Sequence, residues 1–307
     1  MKKVGGITFK NNLFLAPLAG YSDAGFRHLA MKYGAALTFT EMISVKGLEF
    51  NNKNTESLLF NLDRPCAVQL FGSDPEYFER AAKNRLLSDF DIIDVNMGCP
   101  VPKIVKNNEG SALMKNPKLA GQIIKRLKDS TDKVVSVKMR LGFEIGQNTA
   151  CDFAKVLEDN GADMICVHGR YREQYYAGNA DYSEIKKVCK SVKIPVIANG
   201  DVRDKVSYER IMNETGAEFV MIGRGALGKP YIFGEITGYP YNLNIKKDIL
   251  EHIAILKRVY EERVIVNNIK KHICYYAKGN PHASTIKEEV CRQITFFELC
   301  ECINKYF

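Results

Sequence analysis

The residue best placed to do chemistry is a cysteine set between a glycine and a proline, in the run Asp94-Val-Asn-Met-Gly-Cys-Pro100. An apolar stretch that reads as a strand leads into it, and the loop beyond carries Lys103, Lys106, Asn107 and Asn108. A thiol so placed can act as a general acid, giving its proton to a carbon of a substrate lying against it. Gly98 allows close backbone approach, and nearby cations can tune the thiol pKa. A bare cysteine in a loop is more often inert, so Cys99 has to be judged by its company.

That company is consistent. Six other stretches end in residues of the same kind: Ala16-Pro17-Leu18, Gln69, Lys138 with Arg140, His168-Gly169-Arg170, Asn199-Gly200-Asp201 and Gly223-Arg224-Gly225, with Asn96 just ahead of the cysteine. Polar or charged groups stand at these ends except at the first, where the backbone is the expected contact. The run from Gly223 to Gly228 matches the G-x-G-x-x-G dinucleotide fingerprint. It follows the last strand of the series, however, and no acidic residue stands at the right distance to hold a ribose. It reads instead as a phosphate site, in which backbone N–H groups and a helix N-terminus meet the anion and Arg224 adds charge. Asn199, Gly200 and Asp201 supply the other half. A phosphate together with Gln69, Lys138 and His168 suggests a flat polar ring system, and a flavin fits. Gln69 would bond its pyrimidine edge, and Lys138 would lie where negative charge gathers on reduction. Otherwise Lys138 is half of an internal ion pair and His168 a hydrogen-bonded structural histidine.

Residues of this kind need a scaffold that gathers strand ends. Short β-rich runs at 13–18, 36–40, 67–71, 91–96, 134–139, 164–168, 196–199 and 219–222 alternate with helical patterns such as 74–87 and 150–160. Eight such alternations in roughly 230 residues predict an α/β fold, a (β/α)8 TIM barrel, whose chemistry sits at the carboxyl ends of its strands. A doubly wound open sheet is the alternative. Residues 4–10 read as a short strand or hairpin capping the barrel bottom. After Pro230 the texture changes, and Gly238-Tyr239-Pro240 marks a break. Ile245, Ile249, Ile253, Leu256 and Tyr260 recur at helical spacing, and 264–278 reads as a second helix stopped by Gly279-Asn280-Pro281. Thr285 and Glu288 form a capping-box pattern opening a third helix through Ile294 and Phe297. The expected division is a barrel at 1–238 and a small all-α C-terminal domain at 239–307.

Composition bounds the rest. The chain has 307 residues, 46% of them hydrophobic and 26% charged, which is ordinary for a globular protein of one large and one small domain. No apolar run is long enough to cross a bilayer. Lys2 and Lys3 are followed by no apolar stretch, so no signal peptide and a cytoplasmic location are expected. The nine cysteines lack the paired spacing of a zinc site and read as reduced thiols, with no metal expected. A net charge of +8 and a pI near 8.9 lean toward a polyanionic partner.

The segments Ala16-Pro-Leu-Ala-Gly20, Asp94 to Pro100, Val137-Lys-Met-Arg-Leu-Gly142, Val167-His-Gly-Arg170, Ile197-Ala-Asn-Gly-Asp201 and Met221-Ile-Gly-Arg224 resemble, in order, those of bacterial tRNA-dihydrouridine synthases, closest to the B-type subgroup. The Asn96-Met-Gly-Cys-Pro100 motif is the most specific part. The resemblance implies FMN held by the backbone of Ala16, Pro17 and Leu18, by Gln69, Lys138 and His168, and at its phosphate by Asn199, Gly200, Asp201, Gly223 and Arg224. Asn96, Arg140 and Arg170 would meet the target uridine. NADPH would reduce the flavin as a transient reductant, a tRNA uridine would flip out onto the ring, and Cys99 would protonate C5 as hydride reaches C6. The helical tail corresponds in position to the family's tRNA-binding domain. Lys103, Lys106, Arg140, Arg170, Arg172 and Arg203 would then give the barrel mouth a positive field, and Lys246, Lys247, Lys257, Arg258, Lys270 and Lys271 would add to it from the tail. tRNA is the partner implied, with no membrane and no stable protein partner. Three other readings stand beside this one: a flavin barrel acting on a free pyrimidine, like a dihydroorotate dehydrogenase; a barrel binding a phosphorylated metabolite without redox chemistry; and an RNA-binding protein with a decayed site. The first does not account for the helical tail and the basic mouth, absence of a yellow chromophore would favour the second, and the intact Cys99 and Lys138 argue against the last.

Overall fold

The computed structural model describes residues 1–307, the side chain of Asn54 excepted. Eight parallel strands close into a barrel: Leu13–Leu15, Leu37–Ser44, Cys66–Phe71, Ile92–Met97, Val134–Arg140, Met164–His168, Val196–Asn199 and Phe219–Ile222, the last pairing with the first. The strands are rich in Val, Ile, Leu and Met because each is covered on its outer face by helices and on its inner face by the barrel core. Helices such as Pro117–Lys128, Ala150–Asp159 and Tyr182–Ser191 bury Ile123, Ile124, Leu127, Phe153, Leu157, Ile185 and Val188 against that outer face.

The two ends of the barrel differ in chemistry. At the bottom, an antiparallel hairpin of Lys2–Val4 and Ile7–Phe9 closes the opening, as expected for residues 4–10. Phe9 packs on Phe14 and Phe219, with ring centroids 5.0 and 5.5 Å away, and Phe14 stacks on Phe219 at 4.8 Å. This aromatic plug makes the lower barrel a dry core. Toward the top the inward rows turn polar. Strand register places Gln69, Asp94 and Ser136 in one row, Asn96 and Lys138 in the next, and Arg140, His168 and Asn199 at the rim.

Several element boundaries depart from the sequence reading. The first strand stops at Leu15, so Ala16–Leu18 lie outside the ladder, although Ala16 N–H still bonds Ile222 C=O. The second strand runs on to Ser44, with an irregularity between Phe39 and Met42. The helix expected over 74–87 is Pro75–Ala82, opened by Asp74 as N-cap, then a 3₁₀ turn at Arg85–Leu87.

The tail holds four helices rather than three: Ile245–Leu256, Glu262–Tyr276, Ala283–Arg292 and Phe296–Tyr306. The working capping box is Thr295 with Glu298, which splits the expected third helix in two, while Thr285 and Glu288 lie inside a helix already begun at Ala283. Ile249, Ile253, Ile265, Ile269, Ile273, Ile286, Val290, Leu299 and Ile303 form the tail's own core. The tail docks on the helix Ala24–Lys32, largely through polar groups. Asp248 takes the Lys32 ammonium at 2.9 Å and the Tyr33 hydroxyl at 2.5 Å. Deeper in, Asp23 Oδ1 lies 2.7 Å from His252 Nε2, and Asp23 Oδ2 lies 3.7 Å from His272 Nε2. Asp23 is also the N-cap of that helix, accepting from Phe26 N–H, so one carboxylate both starts the helix and anchors the tail. Burial works to raise the Asp23 carboxyl, but the two imidazoles together hold it well below the usual carboxylate range. Among the described residues, no helix is long and apolar enough to cross a membrane.

Candidate active site

The polar rows at the top of the barrel line a cavity of about 870 Å³. Ala16, Pro17 and Leu18 form one wall. Gln69, Asn96, Cys99, Lys138, Arg140 and His168 form its floor and far side, and Asn199, Gly200, Asp201, Gly223 and Arg224 close the circle. Together they come from the carboxyl ends of seven of the eight strands or the loops just after them, which is how a parallel barrel converges distant residues on one point.

Lys138 is half-buried, and its ammonium donates to Asn199 Oδ1 at 3.0 Å; Asn199 in turn donates to Met221 C=O at 2.8 Å. Burial pulls the Lys138 pKa down, and Arg140 adds to that, against the opposing pull of Cys166, Asp94 and Cys99. His168 is driven well below the usual imidazole range, first by burial and then by Lys138, Arg140, Arg170 and Arg224. It is therefore neutral at pH 7. Its Nε2 lies 3.4 Å from Arg170 Nη1, which can only donate, so the ring proton sits on Nδ1.

The Cys99 loop is clamped from both sides. Asn96 Oδ1 accepts from the N–H groups of Gly98 at 3.2 Å and Cys99 at 2.9 Å. Arg140 Nε donates to Gly98 C=O at 2.8 Å, and Ser111 N–H to Cys99 C=O at 3.1 Å. Gly110 sits beneath it at φ +60°, where a Cβ would come within 2.9 Å of Cys99 C=O. The nearby cations do not win the contest over the thiol. Burial pushes Cys99 up, outweighing the Val101 N–H, Arg140 and Lys138. The side chain stays a protonated thiol at neutral pH, as a general acid requires.

At the opposite side, the N–H groups of Gly223, Arg224 and Gly225 meet no protein acceptor among the described residues. Open N–H groups of this kind can take an anion, and Arg224 stands half-exposed beside them. The expected helix N-terminus is a 3₁₀ turn, Arg224–Ala226, and the next helix, Ile232–Thr237, begins beyond it. The three glycines of the run have separate reasons. Gly223 borders the cavity, a Cβ at 225 would strike Val202 C=O at 2.1 Å, and Gly228, at φ +73°, lets the backbone of Tyr275 approach to 2.5 Å from where a Cβ would stand.

Residues 14–303 match the family model described as dihydrouridine synthase. The chain belongs to the dihydrouridine synthase family. It is 36% identical over 302 residues to a probable tRNA-dihydrouridine synthase of Rickettsia conorii, covering 94% of this chain and 91% of that one. It is 36% identical over 296 residues to tRNA-dihydrouridine synthase B of Vibrio vulnificus, covering 93% and 92%. Among solved structures, histamine dehydrogenase from Rhizobium sp. 4-9 shares the fold, with a TM-score of 0.58 at 14% identity over 83% of this chain and 50% of that one.

In this dihydrouridine synthase family member, every residue assigned from the sequence to the catalytic, cofactor or substrate site lines the cavity except Arg170, and of the further basic residues expected around the mouth Arg203 lines it while Lys103, Lys106 and Arg172 do not. Arg170 is 2% exposed and braces the wall from behind, bonding Ala177 C=O, Gly178 C=O and the Asp201 carboxylate. Asp201 is correspondingly committed to Arg170, to Ala180 N–H and to Arg224 at 3.7 Å, so it aims Arg224 rather than meeting an anion itself. The sequence reading missed Tyr176, whose ring lies 4.5 Å from the Arg224 guanidinium and 5.8 Å from that of Arg140. It also missed Tyr275 and Lys278, which reach the cavity from the tail. Nothing local marks those two, because only the docking of the tail brings them to the mouth.

Proposed function

We propose that this enzyme reduces the C5–C6 double bond of uridines in tRNA, with FMN at the barrel mouth and NADPH as electron donor, in the cytoplasm. The observation that carries this reading is that one cavity joins Cys99, Lys138 and the open Gly223–Gly225 turn, while its rim takes Tyr275 and Lys278 from the helical tail. A free pyrimidine needs no second domain at the entrance.

The residues present fit a flavin mononucleotide. The unpartnered N–H groups of Gly223, Arg224 and Gly225, with the Arg224 guanidinium, suit its phosphate. Ala16–Leu18 offer backbone, and Lys138 offers the positive charge that a reduced ring needs. A flavin held by these residues would supply hydride chemistry, with NADPH as the source of electrons. The chain's own residues do the rest. Cys99 keeps its proton on Sγ because burial disfavours the thiolate, and gives it to C5. Asn96 and the neutral His168 border the space where a flipped base would lie, with the Tyr176 ring at the rim. Arg140 serves the substrate indirectly, by holding Gly98, Tyr171 and Tyr175 through their carbonyls. Residues 239–307 form the proposed tRNA-binding domain, with Lys278 and Lys271 near the mouth.

The test is direct. Unmodified tRNA incubated with the protein, FMN and NADPH should gain, at defined uridines, the mass of two hydrogens. A protein that binds no flavin, or leaves tRNA unchanged while reducing a free pyrimidine, would defeat the proposal.

A further inference from the structure

Asp94 takes no part in the chemistry above, yet it is 1% exposed and charged chemistry lies directly over it. It shares a row with Gln69 and Ser136 on the neighbouring strands. Its Oδ2 accepts from Gln69 Nε2 at 2.7 Å and its Oδ1 from Ser136 Oγ at 2.5 Å. Gln69 then accepts, through Oε1, from Asn96 Nδ2 at 2.8 Å. Asn96 accepts, through Oδ1, from the N–H groups of Gly98 and Cys99. An unbroken line of direct hydrogen bonds thus runs from a buried carboxylate to the backbone of the proton donor.

The direction of that line follows from chemistry. A carboxylate can only accept, so it claims the NH₂ end of Gln69. Gln69 is left with its oxygen for Asn96, which must answer with its own NH₂. Asn96 therefore presents oxygen to two backbone N–H groups, which is what they need. Turning either amide over would set acceptor against acceptor or donor against donor in a buried place, where an unmet polar group is costly.

We propose that Asp94 is a positioning residue for Cys99: its carboxylate sets the polarity of a relay through Gln69 and Asn96 that holds the Cys99 loop in register with the cavity. Burial raises the Asp94 carboxyl to about 6, against the opposing pull of Ser136, Gln69 and Lys138, so it is ionised at neutral pH. The relay acts on proton delivery and leaves the phosphate end of the cavity untouched.

The proposal rests on the function proposed above, and the two half-reactions separate them. Wild-type enzyme whose reduced flavin is not reoxidised by tRNA would defeat the function itself. Given a competent wild type, Asp94→Leu should slow tRNA-dependent reoxidation by about 10–100-fold, the range that misplacing a catalytic group produces. Reduction by NADPH, which needs no proton from Cys99, should stay within about threefold. In a Cys99→Ala background the same change should add less than about twofold, because the group being positioned is gone. Equal slowing of both half-reactions, or full multiplication of the two effects, would overturn the assignment.

A pair of isosteric substitutions tests polarity without threatening the fold. Asn96→Asp places an acceptor opposite each orientation of Gln69 and should slow the tRNA step. Adding Asp94→Asn lets the whole line reverse, every donor again meeting an acceptor, and should restore at least a tenfold share of the loss. A double variant no faster than Asn96→Asp alone would overturn the relay.

Discussion

Gly25→Ala should weaken the docking of the tail on the barrel, against the sign that helix propensity predicts. Gly25 lies in the helix Ala24–Lys32. Alanine in a helix interior is favoured over glycine by about 1 kcal/mol, so propensity alone makes the change stabilising. A Cβ at position 25, however, would stand 2.1 Å from His252 Cδ2 and 2.8 Å from its Nε2. The ring has nowhere to go. It is 0% exposed, its Nε2 is held by Asp23, and it packs edge-to-face with the His272 ring at a centroid distance of 4.6 Å. Overpacking a filled site costs about 1–3 kcal/mol, and losing a charge-assisted hydrogen bond costs about 1.5–3 kcal/mol more. Set against the gain in propensity, the net loss is about 1.5–5 kcal/mol, on the order of tenfold or more in the docking equilibrium. Amide hydrogen exchange should show it as lost protection across the helices Ile245–Leu256 and Glu262–Tyr276, with Tyr182–Ser191 on the far barrel as an unaffected reference. Reoxidation by tRNA should fall with it, since Tyr275 and Lys278 travel with the tail, while NADPH should reduce the flavin as before. Unchanged or increased protection in both tail helices would refute this account of how the tail is seated.

Cys99→Ala should keep its flavin yet slow the tRNA-dependent step by about 10²–10⁴-fold, the usual worth of a general acid; stopped-flow reoxidation reads it, and full activity would remove Cys99 from the role. Because burial raises the Cys99 pKa and the protonated thiol is the active form, that step should hold its rate through neutral pH. Its decline should come only above the ordinary cysteine range, near 8.5. Lys138→Met should lose flavin on gel filtration or slow its reduction by NADPH, and an unchanged spectrum and rate would place the ammonium outside the ring's reach. Burial presses His272 toward its neutral form, so the folded tail binds fewer protons than the unfolded one. The His272 contribution to its stability should be complete above about pH 6.5 and fall as the pH drops below that value, against the opposite contribution of His28, whose imidazolium is favoured by Asp63 and Glu251. Urea unfolding at pH 7.5 and 5.5 checks this, and His272→Phe, set among Phe26 and Tyr21, should flatten the dependence.

The barrel was legible because its signals are local and repeated. Each strand is a short apolar run, and the polar residue at its carboxyl end breaks the pattern where chemistry belongs. Cys99, Lys138 and the turn at Gly223 could be found that way. Roles that depend on contacts could not. Arg170 stands at a strand end like the others, but its guanidinium turns back to Asp201 and the 177–178 carbonyls, and no sequence feature distinguishes the two directions. Gly225 and Gly228 look alike in the sequence as parts of a phosphate loop, yet each also admits the close approach of another backbone, Val202 at the first and Tyr275 at the second. The tail was misread at Thr285 because two S/T-x-x-E patterns lie ten residues apart and look alike in sequence, while the capping bonds form only at the second, Thr295 with Glu298. Asp94 reads simply as one more inward residue of a strand; its place in a relay appears only when Gln69, Asn96 and the Cys99 loop are joined in space.

The central claim is that one cavity carries out flavin-dependent reduction of a base presented by tRNA. Anaerobic enzyme reduced with NADPH, then mixed with unmodified tRNA or with free uracil and orotate, tests it most directly by flavin absorbance. Rapid reoxidation by tRNA alone is the predicted result. Reoxidation by the free pyrimidines, or indifference to tRNA, would contradict it.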